Sequence, residues 1–247
     1  MVCAVWVLGT MSAGAAEAPP PISKVDNATI CLIEASLEVN VGMPVDGTLK
    51  VVKADRGDLV EQGQLLAQLD TSVQEAAANV MEAKAAYGAR RYERNVDLHK
   101  RQLVSSQELD EIATERRLAT LELRERREQI RLRSLFSPIR GIIVDRYRNL
   151  GDLVRQEKIF RIAQLDPLHV ETVLPASYFG RVAIGQVYEV IPKVVGGPFR
   201  AKVATIDRVI DAASSTFRVR LQAANPKFEL PSGQRCSINF EPLGNAP

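Results

Sequence analysis

Residues 44–60 and 138–154 are two copies of one pattern, offset by 94 positions (44 to 138) without a gap. The first copy reads Pro44-Val45-Asp46-Gly47-Thr48-Leu49, then Gly57-Asp58-Leu59-Val60-Glu61-Gln62. The second reads Pro138-Ile139-Arg140-Gly141-Ile142-Ile143, then Gly151-Asp152-Leu153-Val154-Arg155-Gln156. Both run on into an apolar pair, Leu65-Leu66 and Ile159-Phe160. One copy is too short to bury a core, whereas two copies stacked on each other can do so. The chain between them must then leave the paired halves and return.

That intervening stretch has a different composition. Residues 28–70 alternate like strands, with Gly42, Gly47, Gly57 and Gly63 as punctuation, and from Thr71 the pattern turns helical. Thr71 or Ser72 can cap a first helix, and Ala76–Ala89 is rich in alanine, a strong helix former. No proline occurs between Pro44 and Pro138. A break is expected at Gln102–Ser106, with Ser105 or Ser106 capping a second helix and Glu108 in its first turn. In that helix Leu109, Ile112, Arg116, Ala119, Leu123, Arg126 and Ile130 follow the three- and four-residue steps of a coiled coil. Val73, Val80, Tyr87 and Leu98 are the expected answering stripe on the first helix. Each arm of about 30 residues would reach roughly 45 Å.

Residues 168–241 read as short strands separated by Gly185, Gly196-Gly197-Pro198, Asn225-Pro226 and Pro231-Ser232-Gly233. About six such strands predict a small closed barrel, which leaves no exposed edge. The expected fold class is mixed β with an α-helical coiled-coil hairpin. Gly47, Gly57, Gly141 and Gly151, with Asp58 and Asp152, are assigned as turn residues, where positive φ favours glycine.

The remaining composition excludes more than it includes. Net charge is only +2, and the 12 Arg or Lys and 9 Asp or Glu between Arg90 and Arg133 read as a solvated helix face. Only Tyr87 and Tyr92 accompany them, so no nucleic-acid partner is expected. His99 is placed on a charged, solvated helix and His169 in a barrel wall. There is no CxxC, HExxH, GxSxG or phosphate loop. No enzyme, metal or cofactor is therefore expected. Met1–Ala16 reads as a secretory signal, residues 17–27 as a linker and 242–247 as a tail. Export leaves Cys31 and Cys236 open to two readings, a disulfide joining the first strand to the last or a pair of buried thiols.

Taken in order, a Pro-x-x-Gly and Gly-Asp half-motif, a helical hairpin, then Ser-Pro-x-x-Gly and a second Gly-Asp resemble the periplasmic adaptor family, also called membrane fusion proteins. The resemblance covers about residues 40–240. It implies a biotinyl/lipoyl-like β-sandwich split into halves at 28–70 and 136–166, a hairpin at 71–135 and a small β-barrel at 167–241. A true lipoyl carrier would present a lysine at the turn between the halves; Ala67-Gln68-Leu69-Asp70 has none, and the hairpin replaces the turn. Arg94, Leu98, Ser105 and Asp110 stand at the spacings that many such adaptors carry near the hairpin tip. The resemblance implies that they contact a TolC-type outer-membrane channel. It also implies an inner-membrane transporter as the second partner, RND-type before ABC-type, and self-association into a ring of six in the periplasm. Larger pump adaptors have a membrane-proximal domain after the barrel. This chain ends soon after its last strand, so transporter docking is expected to fall to the barrel, including Phe199-Arg200 and Asp211–Arg220.

Overall fold

The computed structural model describes residues 29–240. The segments expected to be a signal (1–16), a linker (17–27) and a tail (242–247) lie outside them. The first strand, β1 (Thr29–Gly42), leads into β2 (Gly47–Val52), β3 (Leu59–Val60) and β4 (Leu65–Leu69). Two helices follow, α1 (Ser72–Lys100) and α2 (Ser106–Arg131). The chain returns through β5 (Ser134–Phe136), β6 (Gly141–Arg146), β7 (Leu153–Val154) and the long β8 (Lys158–Pro175). It ends in β9 (Val187–Pro192), β10 (Phe199–Ile206), β11 (Thr216–Ala223) and β12 (Arg235–Ile238).

The barrel closes through the neighbour order β1-β12-β9-β10-β11-β8, with β8 pairing back onto β1. Period-two alternation dictates which side chains go inside. In β11, Phe217, Val219, Leu221 and Ala223 are buried while Arg218, Arg220 and Gln222 face out. The sixth stave is β1, which the sequence had placed wholly with the first half-motif. Its Cys31 and Ile33 belong to the barrel core, and its Val41 belongs to the sandwich core. Likewise β8 runs through the expected 166/167 boundary: Ile159, Phe160 and Ile162 pack in the sandwich, Leu168, Val170 and Leu174 in the barrel. The physical reason is continuity of a ladder, because β1 and β8 pair antiparallel from Cys31↔Thr172 to Gly42↔Lys158. Cys31 and Cys236, opposite each other in the β1–β12 ladder, are joined in a disulfide with Cα atoms 4.8 Å apart.

The sandwich faces β1, β8, β6 and β3 against a four-stranded sheet of order β5-β4-β2-β7. Here the repeat appears as hydrogen bonds. Gly57 N–H donates to the Ile143 carbonyl and Gly151 N–H to the Leu49 carbonyl, both at 2.8 Å. Leu49 N–H donates to the Asp152 carbonyl at 2.9 Å and Ile143 N–H to the Asp58 carbonyl at 3.0 Å. Each bond maps onto its mate by the 94-residue offset (49 to 143, 57 to 151) and joins one half to the other. Within each turn the aspartate carboxylate accepts from the backbone three residues earlier, Asp58 from Asp55 and Asp152 from Asn149, both at 2.7 Å. Gly57 and Gly151 have φ of 91° and 89°, the left-handed region glycine enters without a Cβ penalty.

Gly47 and Gly141 are not turn residues. They open β2 and β6, and neither has positive φ. A Cβ on Gly141 would stand 2.4 Å from the Ala163 carbonyl oxygen, so this glycine is required by the approach of β8. A Cβ on Gly47 would meet the Leu69 side chain at 3.1 Å and that of Arg133 at 3.2 Å.

The helices leave the sandwich at β4 and re-enter at β5, which pair Leu65↔Phe136 to Gln68↔Ser134. The α2 seam has the expected residues: Ile112 and Ala119 are buried and the other five positions half-buried. The α1 seam differs. Val73, Val80 and Tyr87 are 74%, 62% and 57% exposed. The inward positions are Gln74, Ala78, Met81, Ala85, Gly88, Tyr92, Asn95 and His99, again in three- and four-residue steps. Facing small residues let the helices approach closely, and a Cβ on Gly88 would lie 3.4 Å from Arg116 Cα. The Arg116 guanidinium lies over the Tyr92 ring, 4.0 Å from its centroid. Ion pairs flank the seam, Lys84–Glu122 (2.6 Å) and Arg91–Glu115 on one side and Arg127–Glu82 (3.2 Å) on the other.

Candidate functional site: the hairpin tip

The tip is made by the end of α1, a five-residue connection and the start of α2. Arg101 N–H and Leu103 N–H both donate to the Leu98 carbonyl, at 3.1 and 3.0 Å, and Gln102 N–H donates to the His99 carbonyl at 2.8 Å. These bonds satisfy carbonyls that the helix end would otherwise leave open. Gln102 takes the left-handed conformation, φ 60°, that reverses the chain there. Ser105 is the N-cap of α2, its hydroxyl accepting from Glu108 N–H at 3.2 Å. The connection is braced by His99, whose Nδ1 lies 2.8 Å from the Val104 carbonyl oxygen. His99 is thus a half-buried seam residue, not the solvated one its charged neighbours implied. It stands at a seam step, and the connection folds back over it.

The four expected tip residues do not form one cluster. Arg94 and Leu98, one turn apart, share the α1 flank that carries the Lys84 and Arg91 ion pairs. Arg94 is exposed and Leu98 is 37% exposed. Ser105 lies in the connection, exposed. Asp110 follows Leu109 on the opposite flank of α2, exposed, its carbonyl accepting from Thr114 Oγ1 at 2.9 Å. A residue that sequence reasoning missed is Leu103. At 69% exposed it is the most exposed large apolar side chain of the tip, between Gln102 and the half-buried Val104. Its signal was present: an apolar residue inside the expected break, off both helical stripes. The tip therefore offers two apolar side chains, Leu98 and Leu103, among Arg94, Lys100 and Arg101. Lys100 pairs weakly with Asp97 at 3.4 Å. An apolar anchor ringed by exposed cations suits a partner surface with an apolar cleft and acidic rim.

At the other end of the stalk, Asp70 fixes the root. Its carboxylate accepts from Ser72 N–H at 3.0 Å and pairs with Lys50 Nζ at 3.1 Å. The Ser72 hydrogen bonds, then Lys50, hold its pKa at about 2. Asp70 thus takes the role expected of Thr71 or Ser72; the Thr71 hydroxyl instead donates to the Glu75 carboxylate at 2.6 Å.

On the barrel wall His169 is half-buried between Glu34 of β1, opposite it in the ladder, and Gln222 of β11. Burial, then the Arg220 charge, depresses its pKa, with Glu171 and Glu34 opposing. Arg220 donates through Nε and Nη2 to Glu171, at 2.8 and 2.6 Å. Among the described residues no group of three or more His, Cys, Asp or Glu is arranged to hold a metal ion. No described helix is long and apolar enough to cross a membrane.

A model of the CzcB-like, barrel-sandwich hybrid domain matches residues 37–164, which include both half-motifs and the whole hairpin. A Haemophilus influenzae protein without an assigned function is 28% identical over 184 residues, 72% of this chain and 46% of that protein. The nickel and cobalt resistance protein CnrB of Cupriavidus metallidurans is 24% identical over 226 residues, 86% of this chain and 57% of that protein. The chain spans about half the length of these curated relatives. Among solved structures, a MacA–MexA chimera containing the Pseudomonas aeruginosa MexA α-hairpin domain superposes with a TM-score of 0.73 at 21% identity. It covers 85% of this chain and 76% of the chimera, and it shares the fold.

Proposed function

The chain belongs to the membrane fusion family of periplasmic adaptors, by its CzcB-like barrel-sandwich hybrid match over residues 37–164, and we propose that it is the adaptor subunit of a tripartite efflux system. In that role it bridges an inner-membrane transporter, RND-type in the first instance, and a TolC-type outer-membrane channel. Its work is assembly: the transporter supplies the energy, and copies of the adaptor associate to line and seal a conduit. The observation that carries this reading is the stalk. Two repeat halves bond to each other across the sandwich and project helices of 29 and 26 residues, about 44 and 39 Å long, to a tip with exposed Leu98 and Leu103. A stand-alone ligand-binding module has no use for an exposed apolar tip held that far from its barrel. The likeness to CnrB makes nickel and cobalt ions the first cargo to test.

The test is a crosslinked pull-down of the tagged protein from native cell envelopes, with identification of what is recovered. Wild type runs beside Arg94→Asp/Leu98→Ser. The expected result is a channel and a transporter with wild type, and the transporter alone with the variant. The transporter recovered also decides between RND and ABC classes. Recovery of neither, from folded protein in both samples, overturns the adaptor reading in favour of a free-standing binding module.

A further inference from the structure

The barrel and the sandwich are joined by a narrow ribbon. Among the described strands, β1 and β8 alone contribute to both cores. The pairing of β6 with β8 reaches Ala163 and that of β11 begins at Leu168, so over residues 164–167 β8 has only β1 beside it. The ladder is irregular at this point. Ala35 pairs with Leu168 and Leu37 with Gln164, which leaves Ser36 alone opposite Leu165, Asp166 and Pro167. An interrupted two-stranded ribbon bends and twists readily. By itself it would set the direction of the stalk from the barrel only loosely.

Residues 224–234, between β11 and β12, reach across this joint. Asn225 is buried, and its backbone N–H donates to the Asp166 carboxylate at 2.8 Å. Its side-chain amide donates to the Leu165 carbonyl at 3.1 Å and the Leu230 carbonyl at 2.9 Å, and its amide oxygen accepts from Leu230 N–H at 3.1 Å. Both residues that it holds on β8 lie in the unpaired stretch, so one barrel residue satisfies groups that the ladder leaves open. Gln164 Nε2 donates to the Asp166 carbonyl at 3.1 Å, and Ser36 Oγ to the Gln164 carbonyl at 3.2 Å.

From this root the loop touches the sandwich. Phe228 N–H donates to the Asn225 carbonyl at 3.0 Å, closing a turn. The Arg140 guanidinium lies over the Phe228 ring, 5.5 Å from its centroid. Arg140 belongs to the second half-motif and pairs with Glu61 of the first at 3.1 Å, so the ring rests on a residue that ties the two repeat halves together. Phe228 has φ 56°, a left-handed conformation that a bulky side chain keeps only where its surroundings enforce it.

We propose that residues 224–234 are a clasp, rooted by Asn225 and closed by Phe228 on Arg140, that fixes the barrel on the sandwich and so aims the stalk. Asn225 and Phe228 are positioning residues, remote from the hairpin tip. Closed, the clasp gives the joint a second support beside the β1–β8 ribbon, and a body held at two separate points cannot swing about either. Open, it leaves the ribbon as a hinge at Ser36. The Asn225 network is buried and bonded on every side, whereas Phe228 is half-buried and its contact is one ring against one cation. Opening therefore starts at Phe228, with the root intact. The use of a fixed aim, to keep both ends of the molecule on their partners, rests on the adaptor reading; the fixed joint does not.

The experiment places nitroxide labels on the full-length protein at Leu153→Cys in the sandwich and Val209→Cys on the barrel, both exposed positions. The background carries Cys3→Ser and keeps the Cys31–Cys236 disulfide oxidised. Double electron–electron resonance then reads the distribution of distances between the labels. One narrow distance is expected with the clasp unaltered, and Phe228→Ala and Arg140→Ala should each replace it with a broad distribution. The double variant should be no broader than either single one, because the two residues make one contact. Phe228→Trp should restore the narrow distance. A second label pair, Val194→Cys and Val209→Cys, lies within the barrel and should keep its distance in every variant. If Phe228→Ala broadens that pair too, the loop is holding the fold of the barrel itself and the proposal is overturned. A sandwich-to-barrel distance that stays narrow in both alanine variants overturns it as well, since the β1–β8 ribbon is then rigid unaided; so does a distance already broad before any change at the clasp. The measurement is made on purified protein without partners, so it can succeed where no channel is captured, and fail where one is.

Discussion

The sandwich and the hairpin are joined at β4 and β5, yet they are held by different means. In the sandwich Leu49, Val60, Leu66, Leu69, Val154 and Phe160 are at most 1% exposed, and backbone bonds cross between the repeat halves. Burial of each large side chain contributes about 1.5–3 kcal/mol. In the hairpin only Ala78, Ile112 and Ala119 are buried among helical residues, and the rest of the grip is half-buried side chains and exposed ion pairs worth a few tenths of a kcal/mol each. The sandwich is specified by what cannot be moved, the hairpin by what barely holds. A stalk of this kind keeps polar and small residues available for contacts outside itself, at the expense of its own stability.

The sharpest way to break the comparison is Gly141→Val. A Cβ there collides with the Ala163 carbonyl at 2.4 Å, so β6 and β8 must part. A loss above about 3 kcal/mol is expected, with thermal unfolding of the whole sandwich shifted down. Its repeat mate is the control: at Gly47 the nearest atoms belong to the Leu69 and Arg133 side chains, which can yield, so Gly47→Val should cost clearly less. Equal losses would mean that the repeat, not the strand approach, sets the demand for glycine.

Ile112→Ala comes next. Ile112 is 3% exposed and is the only large side chain of the described hairpin that is buried, so truncation should cost about 2–4 kcal/mol. The loss should be confined: hydrogen exchange in α1 and α2 should accelerate while protection of β8 and β11 is unchanged. Faster exchange in the barrel would show that hairpin and barrel are one cooperative unit.

The same contrast explains what the sequence made legible. Gly57 and Gly151 were readable as turns because the demand is local, a reversal before an apolar strand. Gly141 was misread because its reason lies in Ala163, a residue of another strand. On α2 the seam was legible through Leu109, Ile112, Leu123 and Ile130. On α1 the apolar residues Val73, Val80 and Tyr87 gave a clean seven-residue stripe, but it is the outer one. A seam built from Ala78, Ala85, Gly88 and Asn95 leaves no hydrophobic trace, because close approach of backbones replaces bulk. The double service of β1 was illegible for a related reason: alternation says which side of a strand is buried, not how many cores it borders. At the tip, Ser105 was legible by its cap chemistry, while Leu103, with no helical period to place it, was missed.

The smallest expected effect concerns the joint between the two regions. Asp70 stands between β4 and α1, and its carboxyl is held at about 2 by the Ser72 hydrogen bonds and by Lys50, against an ordinary value of 3.8. A depressed pKa means that the folded state favours the charged form. The resulting stabilisation is fully present above about pH 4, and it is lost as pH falls from there through about 2. Because the group is exposed, the effect should appear in fraying of the first turn of α1 and not in global unfolding. The protection factor at the first turn of α1, its exchange rate taken relative to the intrinsic rate at each pH and followed from neutral pH to pH 2, should therefore fall only below about 4 in wild type. In Asp70→Asn the acid step should vanish, since the amide cannot titrate, with somewhat faster exchange at neutral pH from the lost pairing with Lys50. An acid step that persists in the variant would transfer the role to Glu75, which accepts from the Thr71 hydroxyl at 2.6 Å. The stalk would then be anchored through its own first turn instead of through the strand that launches it.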